Sequence, residues 1–226
     1  MLIVLSGEAG NGKDSVAKVL QDKHGFVPYS LSAPLKRFGE DLFGFTKEQC
    51  YGPSKFRNEP DPRWARPCGT CGGTGKVYNT DRPHVVCHGT GKLNDNSPRR
   101  VFQLLGDDWL RQMIHPDALT MHARPVLMNM LQAGEDIVIN DARFENDRAN
   151  LKEWLGAVLV HVARPGKVRD LSHDDWRLHN SELHQPKPED VDFVLENMED
   201  WPFPGLGQQV ADMLLKFQQT ICKVHS

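Results

Sequence analysis

At 226 residues and 25.5 kDa, the chain has the length of one ordinary domain with room for a small insertion. Charged residues make up 25% and apolar ones 39%, a balance that fits a soluble globular protein and excludes a disordered one. With 27 Lys+Arg against 30 Asp+Glu the net charge is −3, which argues against tight nucleic-acid or anionic-membrane binding and leaves only a local basic patch open.

Residues 1–5 are apolar and then meet Ser6-Gly7. That start has no basic n-region and is too short for a signal sequence or a span, and no other stretch approaches about 18 apolar residues. The expectation is a cytosolic protein with reduced thiols. Three of the five cysteines crowd into positions 68–87, which points to a metal before disulfides.

Leu2–Leu5 reads as a strand buried on both faces, followed by a Gly-rich turn and a helix over Lys13–Asp22. Strand, turn and helix in that order open a βαβ unit. Val27–Leu31 predicts a second strand and Leu35–Phe43 a short helix. From Gly44 to Asn96 periodicity disappears, and residues 60–95 read as an inserted loop module. Helices follow from Pro98, with a bend near Gly106, and over Leu119–Gln132, with Gly134 as its cap. Ile137–Ile139, Ala157–Val160 and Val191–Leu195 predict strands. Asn146–Leu155 and Leu206–Val224 predict helices. Strands alternating with helices imply an α/β domain with a mainly parallel sheet of about five strands.

Gly7-Glu-Ala-Gly10-Asn11-Gly12-Lys13 satisfies G-x-x-x-x-G-K between a buried strand and a helix. Glycines let the backbone wrap a phosphate, and the lysine reaches the β- and γ-phosphates. Where Ser or Thr usually follows the lysine to hold Mg²⁺, Asp14 stands here, with Ser15 next. Either is a candidate Mg²⁺ ligand.

Cys68-Gly-Thr-Cys71-Gly-Gly-Thr-Gly-Lys76 is echoed by His84-Val-Val-Cys87-His88-Gly-Thr-Gly-Lys92. Aligning the two gives C-x2-C-x12-H-x2-C, three cysteines and one histidine at zinc spacing, in which zinc would be structural. The repeat favours His84 over its rival His88 as fourth ligand. Over about 25 residues this module resembles the Cys-rich zinc modules of DnaJ-type chaperones. Its basic residues Arg63, Arg66, Lys76, Arg82 and Lys92 are either a nucleic-acid contact or a solvated surface. Further on, Ile137-Val-Ile139 leads into Asp141-Ala-Arg143. At the carboxyl end of a parallel strand such an Asp can hold Mg²⁺ or accept a proton, and the Arg can fork onto a phosphate.

Taken together, these segments resemble the deoxynucleoside monophosphate kinases of tailed bacteriophages, which have the P-loop kinase fold. The resemblance rests on Leu5-Ser-Gly7, Gly12-Lys13-Asp14-Ser15, Ala33-Pro34-Leu35-Lys36 and Ser97-Pro-Arg99. It continues through Gln103-Leu-Leu-Gly106-Asp-Asp-Trp109-Leu-Arg111, Asp141-Ala-Arg143-Phe144, His161-Val-Ala-Arg164-Pro-Gly166, Ser172-His173 and His179-Asn-Ser181-Glu182. These run in the family's order across nearly the whole chain except the Cys-rich insertion. Asp107 stands where the family commonly has Thr.

The resemblance implies transfer of the ATP γ-phosphoryl to a deoxynucleoside 5′-monophosphate, with ATP and Mg²⁺ as cofactors. By position, Gly7, Gly10, Asn11, Gly12, Lys13, Asp14 and Ser15 would hold the nucleotide. Lys13, Asp141, Arg143 and Arg164 would serve the transfer. Lys36, Arg99, Arg111, Arg143 and Glu182 would grip the acceptor, a lid would cover 164–189, and a homodimer is one option. Two other readings stay open: a P-loop kinase acting on a hydroxymethyl pyrimidine base within DNA, and a nucleotide-gated binding protein without an acceptor.

Overall fold

The computed structural model describes residues 1–93, 96–166, 186, 190–198 and 204–224. Of the expected lid, 167–185 and 187–189 lie outside the described residues, and His179, Ser181 and Glu182 with them. The chain divides into two compact units, Met1–Ala33 with Leu110–Ser226, and Pro34–Trp109. The second begins well before residue 60, so the expected insertion is only part of it.

Among the described residues, the first unit is built on five parallel strands: β1 (Leu2–Ser6), β2 (Val27–Tyr29), β5 (Ile137–Ile139), β6 (Val158–Ala163) and β7 (Phe193–Glu196). Their order is β2-β5-β1-β6-β7, so β1 is central and all five of its residues are buried. This is the expected α/β class.

Pleating sends alternate side chains to opposite faces. Ile3 and Leu5 join Val138, Val158, Val160 and Val162 against α1 (Lys13–His24) and the last helix, α8 (Pro204–Val224), through Val16, Leu20, Leu206 and Val210. On the rest of the unit α6 (Ala118–Gln132) packs on α7 (Glu145–Leu155), and α7 on β6. Each fully buried aliphatic side chain is worth about 1.5–3 kcal/mol, so packing rather than strand propensity holds this sheet. Among the described residues no helix is long and apolar enough to cross a membrane.

The second unit holds most of α2 (Ala33–Phe43), then α3 (Lys47–Tyr51), α4 (Ser54–Asn58) and α5 (Pro98–Gln103). Helices α3 and α4 fall where the sequence shows no periodicity. The local signal for α3 is a capping box, Thr46 accepting from Gln49 N–H while the Gln49 side chain accepts from Thr46 N–H. Phe45, Cys50 and Val101 form its core with Phe43, Phe102 and Leu105 around them. The irregularity expected near Gly106 starts at Leu104, where the helix widens into π-helical turns through Ile114. Strands β3 (Arg66–Pro67) and β4 (Lys92–Leu93) pair antiparallel at the base of the Cys/His module.

Candidate active site and Cys/His cluster

The loop after β1 needs glycine for two separate reasons. Gly7, Gly10 and Gly12 have φ of 132°, 79° and 100°, a region that L side chains rarely enter. A Cβ on Gly7 would also stand 2.4 Å from the Val162 carbonyl oxygen, and one on Gly12 2.4 Å from Asn197 Nδ2. The loop is fastened from beneath. Asn11 Nδ2 donates to the Val162 carbonyl at 3.1 Å, and Asn197 Nδ2 donates to the Asn11 carbonyl at 2.9 Å.

Lys13 folds back over the loop, its ammonium donating to the carbonyls of Gly7 at 2.6 Å and Glu8 at 2.9 Å. Helix α1 then presents its first-turn N–H groups, which have no intrahelical partner. Asp14 on that turn accepts from Asn140 Nδ2 at 2.7 Å, tying the loop to the end of β5. Ser6 Oγ donates to the Val160 carbonyl and lies 3.4 Å from His161 Nδ1. Burial, with the Lys13 and Arg148 charges adding to it, holds the His161 imidazole below its ordinary range.

Asp141 was expected to hold Mg²⁺ or take a proton. Its carboxylate is instead occupied by the turn after β2. Oδ2 accepts from Ser30 Oγ (2.6 Å), Ser32 Oγ (2.7 Å) and Ser32 N–H (3.1 Å), and Oδ1 from Leu31 N–H (3.0 Å). In this geometry Asp141 positions a loop.

Arg111 departs further from expectation. The residue is 8% exposed, and its guanidinium donates to Asp147 at 2.9 Å and to the Pro116 carbonyl at 2.7 Å and stacks 4.3 Å over the Phe144 ring. Those partners engage the fork that the resemblance offered to an acceptor phosphate.

Arg143 is half-buried just beyond β5, its carbonyl accepting from Arg148 Nη1 at 2.8 Å. Arg164 is half-buried just past β6. Ser6, Asp141 and Arg164 thus stand at or just beyond the carboxyl ends of β1, β5 and β6, where parallel sheets bind ligands.

In the second unit, Lys36 lies on α2 with its ammonium 4.9 Å from the centre of the Tyr51 ring. Arg99 is half-buried in the first turn of α5. Asn197, Asn140 and the two serines of the β2 turn were not foreseen. Their only sequence signal is that Asn197, Asn140 and Ser30 directly follow a strand, with Ser32 two residues beyond Ser30.

The second unit also gathers Cys68, Cys71, His84 and Cys87, whose ligand atoms all lie within 4.8 Å of one another. Cys71 Sγ is 3.8 Å from Cys87 Sγ, and Cys87 Sγ is 3.8 Å from His84 Nδ1. At a Zn–S distance of about 2.3 Å, tetrahedral geometry puts two sulfurs about 3.8 Å apart. The base of the module is closed by Asp61, whose N–H donates to the Asn96 carbonyl at 3.2 Å. Its carboxylate accepts from Arg63 Nε at 3.0 Å and from Gln49 Nε2 at 3.0 Å on α3.

No family model matches the chain. A protein of Acanthamoeba polyphaga mimivirus described as "Putative deoxynucleotide monophosphate kinase" is 30% identical over 206 residues, covering 87% of this chain and 88% of that protein. Among solved structures, a gluconokinase from Sinorhizobium meliloti is 13% identical with a TM-score of 0.47, covering 99% of this chain and 97% of that one. Dephospho-CoA kinase from Campylobacter jejuni is 9% identical with a TM-score of 0.47, covering 97% and 98%.

Proposed function

The chain belongs to the deoxynucleotide monophosphate kinase family, and from that premise we propose that it transfers the γ-phosphoryl of ATP to a deoxynucleoside 5′-monophosphate. The observation that carries this reading is the Gly7–Lys13 loop at the carboxyl end of the central strand, in a chain 30% identical to a relative whose description specifies that acceptor.

An oxygen of the acceptor phosphate attacks the γ-phosphorus, the bond from γ-phosphorus to the β-γ bridging oxygen breaks, and ADP leaves. The acceptor is anionic near neutral pH, so no general base is required, in keeping with Asp141 serving the β2 turn. What the chain must supply is alignment and cations on the equatorial oxygens.

Lys13 would exchange the Gly7 and Glu8 carbonyls for the β- and γ-phosphates, while the first-turn amides of α1 hold the triphosphate. Asp14 or Ser15 would hold Mg²⁺, which when bound screens charge on the β- and γ-phosphates. Arg143 and Arg164, at the strand ends, would serve the migrating group, and the family resemblance offers Lys36, Arg99 and Glu182 as acceptor contacts. A substrate pool of free nucleotides fits a cytosolic site of action. This reading assigns no step to the Cys/His cluster.

The test is transfer of label from ATP, with Mg²⁺, to each of the four deoxynucleoside monophosphates, to hydroxymethyl-dUMP and to duplex DNA containing hydroxymethyluracil. Label in a diphosphate, lost in Lys13→Met and reduced at least about 10²-fold in Arg143→Ala, is the expected result. Label entering DNA alone would replace the nucleotide acceptor with a polymer. Bound ATP with no transfer would overturn the kinase reading.

A further inference from the structure

Residues 68–92 are one loop built twice. Gly73 N–H donates to the Cys68 carbonyl at 3.0 Å, and Gly89 N–H to the His84 carbonyl at 3.0 Å. Thr74 Oγ1 donates to the Cys71 carbonyl at 2.8 Å, and Thr90 Oγ1 to that of Cys87 at 2.7 Å. The halves also hold each other reciprocally: Cys68 N–H donates to the Gly91 carbonyl and His84 N–H to the Gly75 carbonyl, both at 2.8 Å. A Cβ on Gly75 would strike the Gly89 carbonyl oxygen at 2.3 Å, and one on Gly91 that of Gly73 at 2.2 Å. This is a local twofold that exchanges position 68 with 84 and 71 with 87.

The same operation settles what His88 does. It takes the place of Gly72, and the two have φ of 50° and 61°. Gly73 and Gly89 follow at 83° and 77°, Gly75 and Gly91 at 75° and 71°. His88 therefore occupies a left-handed backbone position that the first half fills with glycine. His84 occupies the position of a ligand cysteine.

Nothing apolar substitutes for a metal at the centre. Within 68–92 the buried residues are Cys68, Gly75, His84, Cys87 and Gly91, with Cys71 half-buried, while Val77, Tyr78, Val85 and Val86 are exposed. Apart from the cysteines themselves, hydrophobic burial thus offsets little of the cost of ordering this segment.

We propose that residues 68–92 bind one Zn²⁺ through Cys68, Cys71, His84 and Cys87, that this ion holds the two half-loops together, and that His88 is a glycine surrogate outside the coordination sphere. Three thiolates and an imidazole in a closed tetrahedron suit zinc and leave no open position for substrate. The ion is a structural element of the module, independent of which acceptor the kinase uses.

The test is metal content and spectroscopy of the full chain. Wild type and His88→Gly are expected to hold one equivalent of Zn²⁺. Replacement by Co²⁺ gives, in both, the visible bands of a tetrahedral site with three sulfur ligands and one nitrogen. His84→Ala weakens metal binding at least 10-fold, and His84→Cys keeps the ion while shifting the cobalt bands toward those of an all-thiolate site. Removing zinc with a chelator exposes 68–92 to proteolysis. Loss of metal in His88→Gly with retention in His84→Ala would overturn the ligand assignment. A wild-type chain that binds neither Zn²⁺ nor Co²⁺ with its thiols reduced would overturn the site.

Discussion

Oδ2 of Asp141 accepts both the backbone N–H of Ser32, at 3.1 Å, and its hydroxyl, at 2.7 Å. With Ser30 and Leu31 added, the carboxylate fixes the turn that leaves β2, immediately before the chain enters the second unit. Asp141→Asn puts an NH2 group where at least one N–H or O–H already donates. An unsatisfied pair of this kind costs about 1–3 kcal/mol. In a chain of this size that lowers the melting temperature by roughly 2–4 °C per kcal/mol. Ser30→Ala, which removes one donor and leaves the acceptor satisfied by others, costs about 1 kcal/mol or less. Thermal melts of the two variants test that order. Equal stability of Asp141→Asn and wild type would show that the turn does not depend on the carboxylate.

Arg111 and Asp147 form a pair 8% and 1% exposed, and breaking one side of such a pair costs about 3–5 kcal/mol. Burial raises the Asp147 carboxyl above its ordinary 3.8, against the pull of the Arg111 charge. Arg111→Met removes that pull and raises it further. A raised carboxyl binds its proton more tightly folded than unfolded. Its cost is therefore full above the folded pKa and is relieved as pH falls toward 3.8. Urea unfolding of Arg111→Met against wild type is expected to show a deficit that is largest near pH 7 and shrinks toward pH 4. Adding Asp147→Asn recovers part of the loss at pH 7. A deficit independent of pH would mean that lost packing on Phe144, not an unpaired charge, is the cause.

What the sequence made legible and what it hid divide along physical lines. β1 was legible because five consecutive residues are buried on both faces, and the loop that follows because its glycines and Lys13 are local requirements of backbone conformation. The Cys/His set was legible because a repeat carries its own register. The partners of Asp141 and Arg111 were hidden because they lie far away in sequence, Ser30–Ser32 across the β2–β5 pairing and Asp147 on α7. No periodicity reports which strand becomes a neighbour, so a polar residue at a strand end looks the same whether it meets substrate or another loop. Helices α3 and α4 were hidden because five-residue helices are too short to show a period.

Asp61 at the neck of the module carries a pH dependence of the opposite sign. The Arg63 side chain bonds to it, outweighing burial, and brings its carboxyl from 3.8 down to about 2. A depressed carboxyl stabilises the fold fully above 3.8, and that contribution is lost as pH falls through about 2. Between pH 4 and 2 wild type is expected to lose stability faster than Asp61→Asn, read as the slope of unfolding free energy against pH. Parallel slopes would show that the Asp61–Arg63 bridge has no part in holding the neck.

Asn197 closes the Gly7–Lys13 loop from beneath, and it tests whether that loop is held or merely shaped. Its side chain is 2% exposed, and Nδ2 both donates to the Asn11 carbonyl and stands where a Gly12 Cβ would fall. Asn197→Ala removes about 1–2 kcal/mol of that restraint. ATP binding is expected to weaken roughly 5–30-fold while the sheet core, untouched, keeps its cooperative melt. Gly12→Ala weakens ATP binding further than Asn197→Ala does, while leaving it measurable, because its Cβ meets the Asn197 amide and its φ of 100° is unsuited to alanine. In the double variant the clash is gone and the strain stays, so the two losses do not add. Calorimetric titration with ATP and Mg²⁺ across the four proteins measures that coupling. Strict additivity would mean that the Asn197 amide has no part in how Gly12 affects nucleotide binding.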